Sequence, residues 1–192
     1  MTGAAGSAGA GRYGPVARHI HWLVVMLAVI VISLGWAIAA SPLNTPTRNG
    51  LLLVHRSFGL IILALMAFRA LWRCRHAPPP LPPSVGRIDT ALAQLTHLGL
   101  YLIFIVMPLS GYLNAAAAGH NVSCFGVFEI PQLLPTNERV SQWAIAVHLL
   151  GQYAVYLLVV LHVAGALYHA MIKRDGVLGR MLPPRGGGRP GA

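Results

Sequence analysis

The sequence predicts an all-α integral membrane protein, a four-transmembrane-helix bundle with up-down topology and both termini in the cytoplasm. Three observations lead to this prediction. Mean hydropathy is +0.64, only 9% of the 192 residues are charged, and four apolar runs are each long enough to cross a bilayer. An ordinary soluble domain carries far more charge. Basic residues lie at the ends of the apolar runs, so the net charge of +10 does not indicate nucleic-acid binding.

The first predicted span covers residues 20–40, with Pro15 near its start and Pro42 after its end. Residues 1–14 precede it, and we predict a flexible tail there because this stretch is rich in glycine and lacks the apolar core of a signal peptide. A short polar link then leads to the second span at residues 51–72.

The segment after the second span is too rich in proline for a helix, so it is predicted to be a stiff, extended connector. The third span, residues 90–113, contains Pro108, which should kink it rather than end it. Residues 114–142 form the longest connector and include the apolar sequence FGVFEIPQLLP, predicted to be a lid on the membrane surface. The fourth span is residues 143–173, and residues 184–192 are predicted to be disordered.

The distribution of arginine and lysine predicts the orientation of the bundle. Eleven of these fourteen residues lie at the end where the chain begins and ends, and three lie at the opposite end. Cytoplasmic loops carry the excess of basic residues, so both termini and the proline-rich connector should face the cytoplasm. The eleven are Arg12, Arg18, Arg69, Arg73, Arg75, Arg87, Lys173, Arg174, Arg180, Arg185 and Arg189; the three are Arg48, Arg56 and Arg139.

Histidines recur inside the predicted spans, where ionisable side chains are costly and usually serve a function. His148 and His162 are fourteen residues apart on the fourth span, which separates them by ~21 Å on nearly the same helix face. By depth, His55 can face His148 near the outer leaflet. His21 can likewise meet His162 in the inner half. Two such pairs suit two stacked haems with iron held by two imidazoles, an arrangement that favours electron transfer over oxygen binding.

Any haem here would be of b type, because the sequence has no C-x-x-C-H motif for thioether attachment. Small residues near the candidate ligands, Gly59, Gly151 and Gly165, could leave room for a macrocycle, and helix packing explains them equally well. Arg69 and Arg73 could pair with haem propionates. Anchoring of the second span at the basic side is a sufficient alternative role for both.

Several alternatives stay open at this point. The histidines could be ordinary hydrogen-bonded core residues, or a proton relay in a transporter or channel. His97 on the third span lies at a depth similar to the inner pair, so it competes as a haem ligand. Otherwise it would border a haem or quinone and bond to a propionate, to the quinone or to a neighbouring helix. His169, ~10 Å beyond His162, suits a site where a quinone carbonyl accepts a hydrogen bond and a proton, or it is an interfacial histidine reaching water.

Four segments of the sequence resemble the bacterial cytochrome b561 family. The resemblance extends from about Tyr13 to Pro183 and includes all four spans and the apolar connector. It implies a dihaem cytochrome domain over residues 15–183, multi-pass in the bacterial inner membrane and surrounded by lipid. The four segments are RHIHW, HRSFGLIILALMAFRALWR, LTHLGLYLIFIVMPLSGY and VVLHVAGALYHAMIKRDGVLGRMLP.

The resemblance also implies a set of ligands for the haem iron. The inner haem b would be held by His21 and His162, and the outer haem b by His55 and His148, in agreement with the depth argument. The position of His169 would border the quinone.

The family includes superoxide oxidases, in which superoxide gives electrons to the periplasm-side haem and ubiquinone is reduced near the cytoplasm. The resemblance therefore implies a superoxide:quinone oxidoreductase. Arg56 and Arg139 are candidates for attracting the anion, although three arginines against Glu129 and Glu138 leave the outer surface a net charge of only +1. Related b-type subunits take electrons from a docked partner. The alternative is therefore an electron-transfer subunit that links the quinone pool to a dehydrogenase, a hydrogenase or a soluble electron carrier.

Overall fold

A computed structural model describes residues 11–82 and 84–182 of the chain. Within these residues it has four helices that are long and apolar enough to cross a membrane, which confirms the predicted all-α, four-span fold class. The cytoplasmic position of the termini stays a prediction. Residues 1–10 of the predicted N-terminal tail and all of the predicted C-terminal tail lie outside the described residues. The helices are α1 (Pro15–Ala40), α2 (Pro46–Arg75), α3 (Arg87–Ala117) and α4 (Glu138–Tyr168).

The helices begin earlier than the apolar runs do, because their first turns contain residues that start helices well. Helix α2 begins at Pro46, and the side chain of Thr45 caps it by accepting a hydrogen bond from the Arg48 backbone N–H at 3.2 Å. Helix α4 begins after Asn137, whose side chain accepts from the Val140 N–H at 3.1 Å. Hydropathy predicted where the spans lie in the sequence, whereas the caps determine at which residue α2 and α4 begin.

Helix α3 continues through Pro108, as predicted, and ends at Ala117, four residues beyond the predicted span. The kink expected at Pro108 stays a prediction. It packs most extensively on α4, while α2 packs between α1 and α3. A cluster of four buried apolar side chains joins α1 and α2. Most other apolar side chains of the helices face outward, as expected of a surface in contact with lipid tails. The four core residues are Val24, Leu27, Ile62 and Met66.

The long connector between α3 and α4 contains a two-stranded antiparallel hairpin, β1 (Val122–Cys124) and β2 (Phe128–Ile130). Its turn residue Phe125 has a positive φ of 50° and donates its backbone N–H to the Ser57 hydroxyl at 2.7 Å. Ser57 is fully buried, and the Phe125 ring packs edge-on against Phe58 at 5.2 Å. The predicted lid is thus a hairpin fixed to α2. We call this end of the bundle the hairpin end and the opposite end the basic end.

At the basic end α4 changes into a π-helical turn, His169–Lys173, followed by a short 3₁₀ turn at Leu178–Arg180. The C-terminal segment returns to the start of α1, where the Trp22 indole N–H donates to the Met181 carbonyl at 2.9 Å. The Arg180 guanidinium donates from Nε to the carbonyl of Gly11 at 2.5 Å. The structure therefore joins the two ends of the described chain across the basic end.

Candidate metal centres

Two pairs of histidine rings lie inside the bundle, one pair near each end. At the hairpin end His55 of α2 and His148 of α4 have ring centroids 6.0 Å apart and planes inclined by 72°. At the basic end His21 of α1 and His162 of α4 are also 6.0 Å apart, with planes inclined by 76°. The structure places the members of each predicted pair beside one another. Their role as ligands stays a prediction.

The spacing of both pairs fits one metal ion bound between two imidazoles. With metal–nitrogen bonds of about 2 Å on each side, the two ring centroids would lie about 6 Å apart. Among the described residues no group of three or more His, Cys, Asp or Glu side chains could hold a bare metal ion. A centre with only two protein ligands suits haem, whose macrocycle supplies the other four donors.

The hairpin-end rings are oriented by backbone carbonyls. His148 Nδ1 lies 2.9 Å from the Met107 carbonyl and 3.2 Å from the Ser110 hydroxyl, and His55 Nδ1 lies 3.2 Å from the Val31 carbonyl. A carbonyl only accepts, so each Nδ1 carries the hydrogen and donates it. Nε2 is then the nitrogen left for a metal, the usual second-sphere arrangement of ligating histidines.

Two glycines lie directly against these rings. A β carbon built on Gly111 would come within 3.2 Å of His148 Cε1, and one on Gly35 within 3.7 Å of His55 Cε1. The first distance is tighter than ordinary van der Waals contact, so Gly111 gives the His148 ring its space. Neither glycine was identified from the sequence, because depth along a span does not reveal which helix face carries it.

The glycines that the sequence did single out have other surroundings. A β carbon on Gly151 would collide with the Met107 sulfur at 2.6 Å, so this glycine allows close packing of α3 on α4. Gly59 faces Pro108 at 3.8 Å, which is also helix packing. Gly165 has no atom within 4 Å of such a β carbon. Helix packing therefore accounts for the first two, and only Gly165 adjoins open space.

The basic end holds a third histidine. The His97 ring of α3 lies 5.2 Å from the His162 ring, closer than His21 at 6.0 Å. The separation between His21 and His162 equals that of the hairpin-end pair, whereas the shorter separation between His97 and His162 leaves less space for a metal between the rings. The geometry therefore favours His21 as the partner of His162 and places His97 beside the pair as a neighbour.

Arg69 joins three helices next to this cluster. Its Nε donates to the Tyr101 hydroxyl of α3 at 3.0 Å, and its Nη1 donates to the Ala17 carbonyl of α1 at 2.9 Å. Arg73 lies over the Tyr101 ring at 5.8 Å from its centroid, a cation–π distance. The structure thus gives Arg69 a fastening role within the protein, and Arg73 remains available for an anionic group such as a propionate.

His169 is buried and bonded to an acidic residue that the sequence analysis did not identify. Its Nδ1 lies 2.6 Å from Asp175 Oδ2, with side-chain exposures of 11% and 3%. The other carboxylate oxygen accepts the Val177 backbone N–H at 3.2 Å. Burial works against the charge of Asp175, but these hydrogen bonds outweigh it and hold the pKa of its carboxyl below the ordinary value. His169 is therefore not an interfacial histidine that reaches out to water.

The three arginines at the hairpin end have unequal surroundings. Arg48 donates to the carbonyls of Ile38 and Ser41, which fastens α1 to α2. Arg139 is exposed at the start of α4. Arg56 follows His55 directly and is half-buried, and its side chain makes no hydrogen bond or ion pair with any described residue. Of the two candidates for attracting an anion, Arg56 is nearer in the chain to a candidate metal centre, since it adjoins His55.

Comparison with known proteins adds evidence that is independent of this geometry. A family model described as prokaryotic cytochrome b561 matches residues 12–184. Cytochrome b561 homolog 2 of Escherichia coli K12 is 33% identical over 172 residues, 89% of this chain and 91% of that protein. A protein of Yersinia pestis named probable superoxide oxidase CybB is 30% identical over 176 residues, 92% of this chain and 98% of its own length. Cytochrome b561 homolog 1 of E. coli K12 is 25% identical over 178 residues, with 91% and 98% coverage.

Proposed function

Since this chain belongs to the prokaryotic cytochrome b561 family, we propose that it transfers electrons from superoxide to ubiquinone across the bacterial inner membrane. The family consists of multi-pass membrane proteins that bind b-type haem and transfer electrons. In the proposed reaction two superoxide anions each give one electron at the hairpin end, on the periplasmic side. One quinone at the basic end, on the cytoplasmic side, takes two electrons and two protons and becomes quinol.

The observation that carries this proposal is the equal spacing of two histidine pairs at opposite ends of one bundle. Both pairs have ring centroids 6.0 Å apart, and α4 contributes one histidine to each. His148 and His162 are fourteen residues apart, so the helix holds the two centres ~21 Å from one another along its axis. A single centre could serve many reactions, whereas two in series suit conduction across a membrane.

The protein residues bind and orient the two proposed haems, which supply the one-electron chemistry when bound. We assign His55 and His148 to the hairpin-end iron, each through Nε2, because carbonyls occupy their Nδ1 atoms. We assign His21 and His162 to the basic-end iron. With two imidazoles on each iron no open position remains, so superoxide would give its electron at the edge of the site rather than bind the metal.

Capture of the superoxide anion is assigned to the surroundings of Arg56. This guanidinium lies one residue from His55 and keeps its charge free of carboxylates and carbonyls among the described residues. A cation held close to the electron-accepting site raises the local concentration of an anionic substrate. The name of the Y. pestis relative, probable superoxide oxidase, supports the same substrate.

Quinone reduction is assigned to the basic end, beside His169. This histidine lies seven residues beyond His162 on the same helix, and its Nδ1 is already bound by Asp175. Its Nε2 is therefore the atom that can hydrogen-bond a quinone carbonyl and pass a proton to it.

The decisive test is a superoxide pulse onto the purified, oxidised protein, with haem absorbance followed in time. We expect fast haem reduction, followed by reoxidation when ubiquinone is added. Superoxide dismutase added before the pulse should abolish the signal and serves as the control. Haems that stay oxidised, while quinol still reduces them, would contradict the superoxide assignment.

One observation favours a second function, that of an electron-transfer subunit with a docked dehydrogenase, hydrogenase or soluble carrier. The hairpin end exposes apolar side chains, with Val127 at 82% and Leu133 at 72% exposure, and its net charge is only +1. Apolar residues in such a position suit contact with a partner. This function predicts that a partner protein co-purifies and that the purified chain does not react with superoxide.

A proton-relay transporter would instead yield colourless protein. A visible spectrum therefore distinguishes it from both haem-binding functions.

A further inference from the structure

The buried carboxylate of Asp175 enters the proposed function only as the group that occupies Nδ1 of His169. It lies just beyond α4 at the basic end, and its side chain is only 3% exposed. Buried acidic groups are rare unless they are paired, because water solvates the charge better than protein does. Here the partner is His169 at 2.6 Å, a short distance typical of a charge-assisted hydrogen bond.

An unusual backbone path brings the two side chains together. The chain leaves α4 through the π-helical turn His169–Lys173, a conformation found frequently at functional sites. It then reverses through Arg174, whose φ of 52° lies in the left-handed region that non-glycine residues seldom adopt, and through Gly176 at φ 78°. The reversal carries Asp175 back to the histidine six residues before it.

On its other side Asp175 forms part of the wall of a cavity of about 530 Å³. This connector cavity is open to the surface and lies among three chain segments: Gly11, residues 80–82 of the proline-rich connector, and the turn that contains Asp175, Gly176 and Arg180. Arg180 holds the wall in place, since its Nη2 donates to the carbonyls of Pro79 and Pro80 at 2.8 Å. The carboxylate thus lies between a solvent-accessible cavity and His169.

The other charged groups that contact these elements are occupied elsewhere. Lys173 pairs with Asp89 of α3 at 3.5 Å, and the Arg180 guanidinium is directed at carbonyl oxygens. Within the described part of the chain, Asp175 is therefore the one carboxylate in contact with His169. The pair is a local unit, and its charge is not shared with the surface ion pair next to it.

We propose that Asp175 is the positioning residue of the quinone site, holding His169 by Nδ1 so that Nε2 faces the quinone, with the connector cavity as the entry for protons. This inference rests on the proposed quinone site at His169. A carboxylate that accepts the Nδ1 hydrogen fixes both the tautomer and the orientation of an imidazole. It also balances the positive charge when His169 carries a second hydrogen on Nε2.

The pair supplies one of the two protons that the quinone takes up. After two electrons have reached the quinone, the Nε2–H bond of protonated His169 breaks and an O–H bond forms on one quinone oxygen. The neutral imidazole keeps its Nδ1 hydrogen on the Asp175 carboxylate. Two protons taken from bulk solvent enter with water through the connector cavity: one returns to Nε2 of His169, and the other forms the O–H bond on the second quinone oxygen.

The test compares Asp175→Asn, Asp175→Glu and the matched control Asp89→Asn in haem-loaded protein. Each protein is reduced with dithionite and mixed with a short-chain ubiquinone, and haem reoxidation is followed in H₂O and in D₂O. We expect Asp175→Asn to slow reoxidation at saturating quinone by about 10- to 100-fold, with little change in half-saturating concentration and a larger solvent isotope effect. Asp175→Glu should recover much of the rate, and Asp89→Asn should match the wild type.

A second readout does not depend on turnover. In ¹⁵N spectra of the reduced, histidine-labelled protein, the His169 signals are identified by their loss in His169→Gln, and we expect hydrogen on Nδ1. Hydrogen on Nε2 alone would overturn the proposal, even if Asp175→Asn fails to fold. A wild-type rate in Asp175→Asn, or an Asp175→Glu variant as slow as Asp175→Asn, would also overturn it.

The starting reaction separates this inference from the proposed function. Dithionite replaces superoxide as the electron donor, so an error in the superoxide assignment leaves the result unaffected. If reduced wild-type protein is not reoxidised by ubiquinone, the proposed quinone reaction itself is wrong and the role of Asp175 falls with it. If the wild type is reoxidised and Asp175→Asn is equally fast, only the role of Asp175 is wrong.

Discussion

The histidine pairs at the two ends of the bundle have equal ring separations, but different kinds of contact hold their rings in place. At the hairpin end, carbonyls fix the Nδ1 atoms of both rings and Gly111 makes space for one of them. At the basic end, the rings of His21 and His162 make no hydrogen bond to any described residue and are crowded by a third imidazole, His97. The difference shows that one site is held by directional bonds, and the other by packing.

The largest expected effect comes from His148→Ala. This change removes one side of the hairpin-end pair, and the described surroundings offer no third histidine there to replace it. We expect haem content to fall by about half while the basic-end centre keeps its spectrum, measured as pyridine haemochrome per protein with a redox titration. Unchanged haem content in this variant and in His55→Ala would contradict the assigned ligands.

The entrance to the hairpin-end site is tested by Arg56→Gln. Removing this charge should slow haem reduction by superoxide several-fold and weaken its dependence on ionic strength, since attraction of an anion is screened by salt. Stopped-flow rates at two salt concentrations measure both effects. Arg48→Gln is not a suitable control because Arg48 fastens two helices, so Arg139→Gln is used, and an equal effect there would assign the attraction to net charge alone.

The space around the hairpin-end pair is tested by Gly111→Ala. The added methyl would come within 3.2 Å of His148 Cε1, so the ring must move by a few tenths of an ångström. We expect a changed spectrum or reduction potential of the hairpin-end centre only. Gly50→Ala is the matched control, because this exposed glycine of α2 lies at the same end and a β carbon there meets nothing within 4 Å. A change confined to the basic-end centre would show that the two ends have been assigned the wrong way round.

The smallest effect is expected from His97→Ala. If His21 and His162 hold the basic-end iron, haem content should equal that of the wild type, with at most a small shift in potential from the loss of a neighbouring ring. Spectral redox titration measures both quantities. Loss of the basic-end haem would make His97 a ligand and reverse the pairing proposed for that end.

The level of each histidine in the membrane could be predicted from the sequence. Bilayer thickness and the rise of a helix convert a position in the chain into a depth. This conversion placed His55 level with His148, and His21 level with His162. The same argument predicted four spans, one of them continuing through Pro108.

Hydropathy could not predict the faces of the helices. In a soluble helix the polar side reveals which side is buried, but here the side facing lipid is as apolar as the side facing the other helices. The close approach of Gly111 to His148 depends on how each helix is rotated about its axis. The shorter distance from His97 to His162 depends on the same rotations, and no apolar stripe in the sequence indicates them.

By itself, then, the sequence predicted four membrane spans and the level of each histidine along them, because these follow from composition and spacing along single helices. Its motifs separately showed which family it resembles. Only the tertiary structure decided which rings meet, how the hairpin is fixed on Ser57, and that Asp175 returns to His169. Those contacts arise from helix rotation and from chain reversal. Both are set by packing between segments that are distant in sequence or by backbone conformations that local pattern does not reveal.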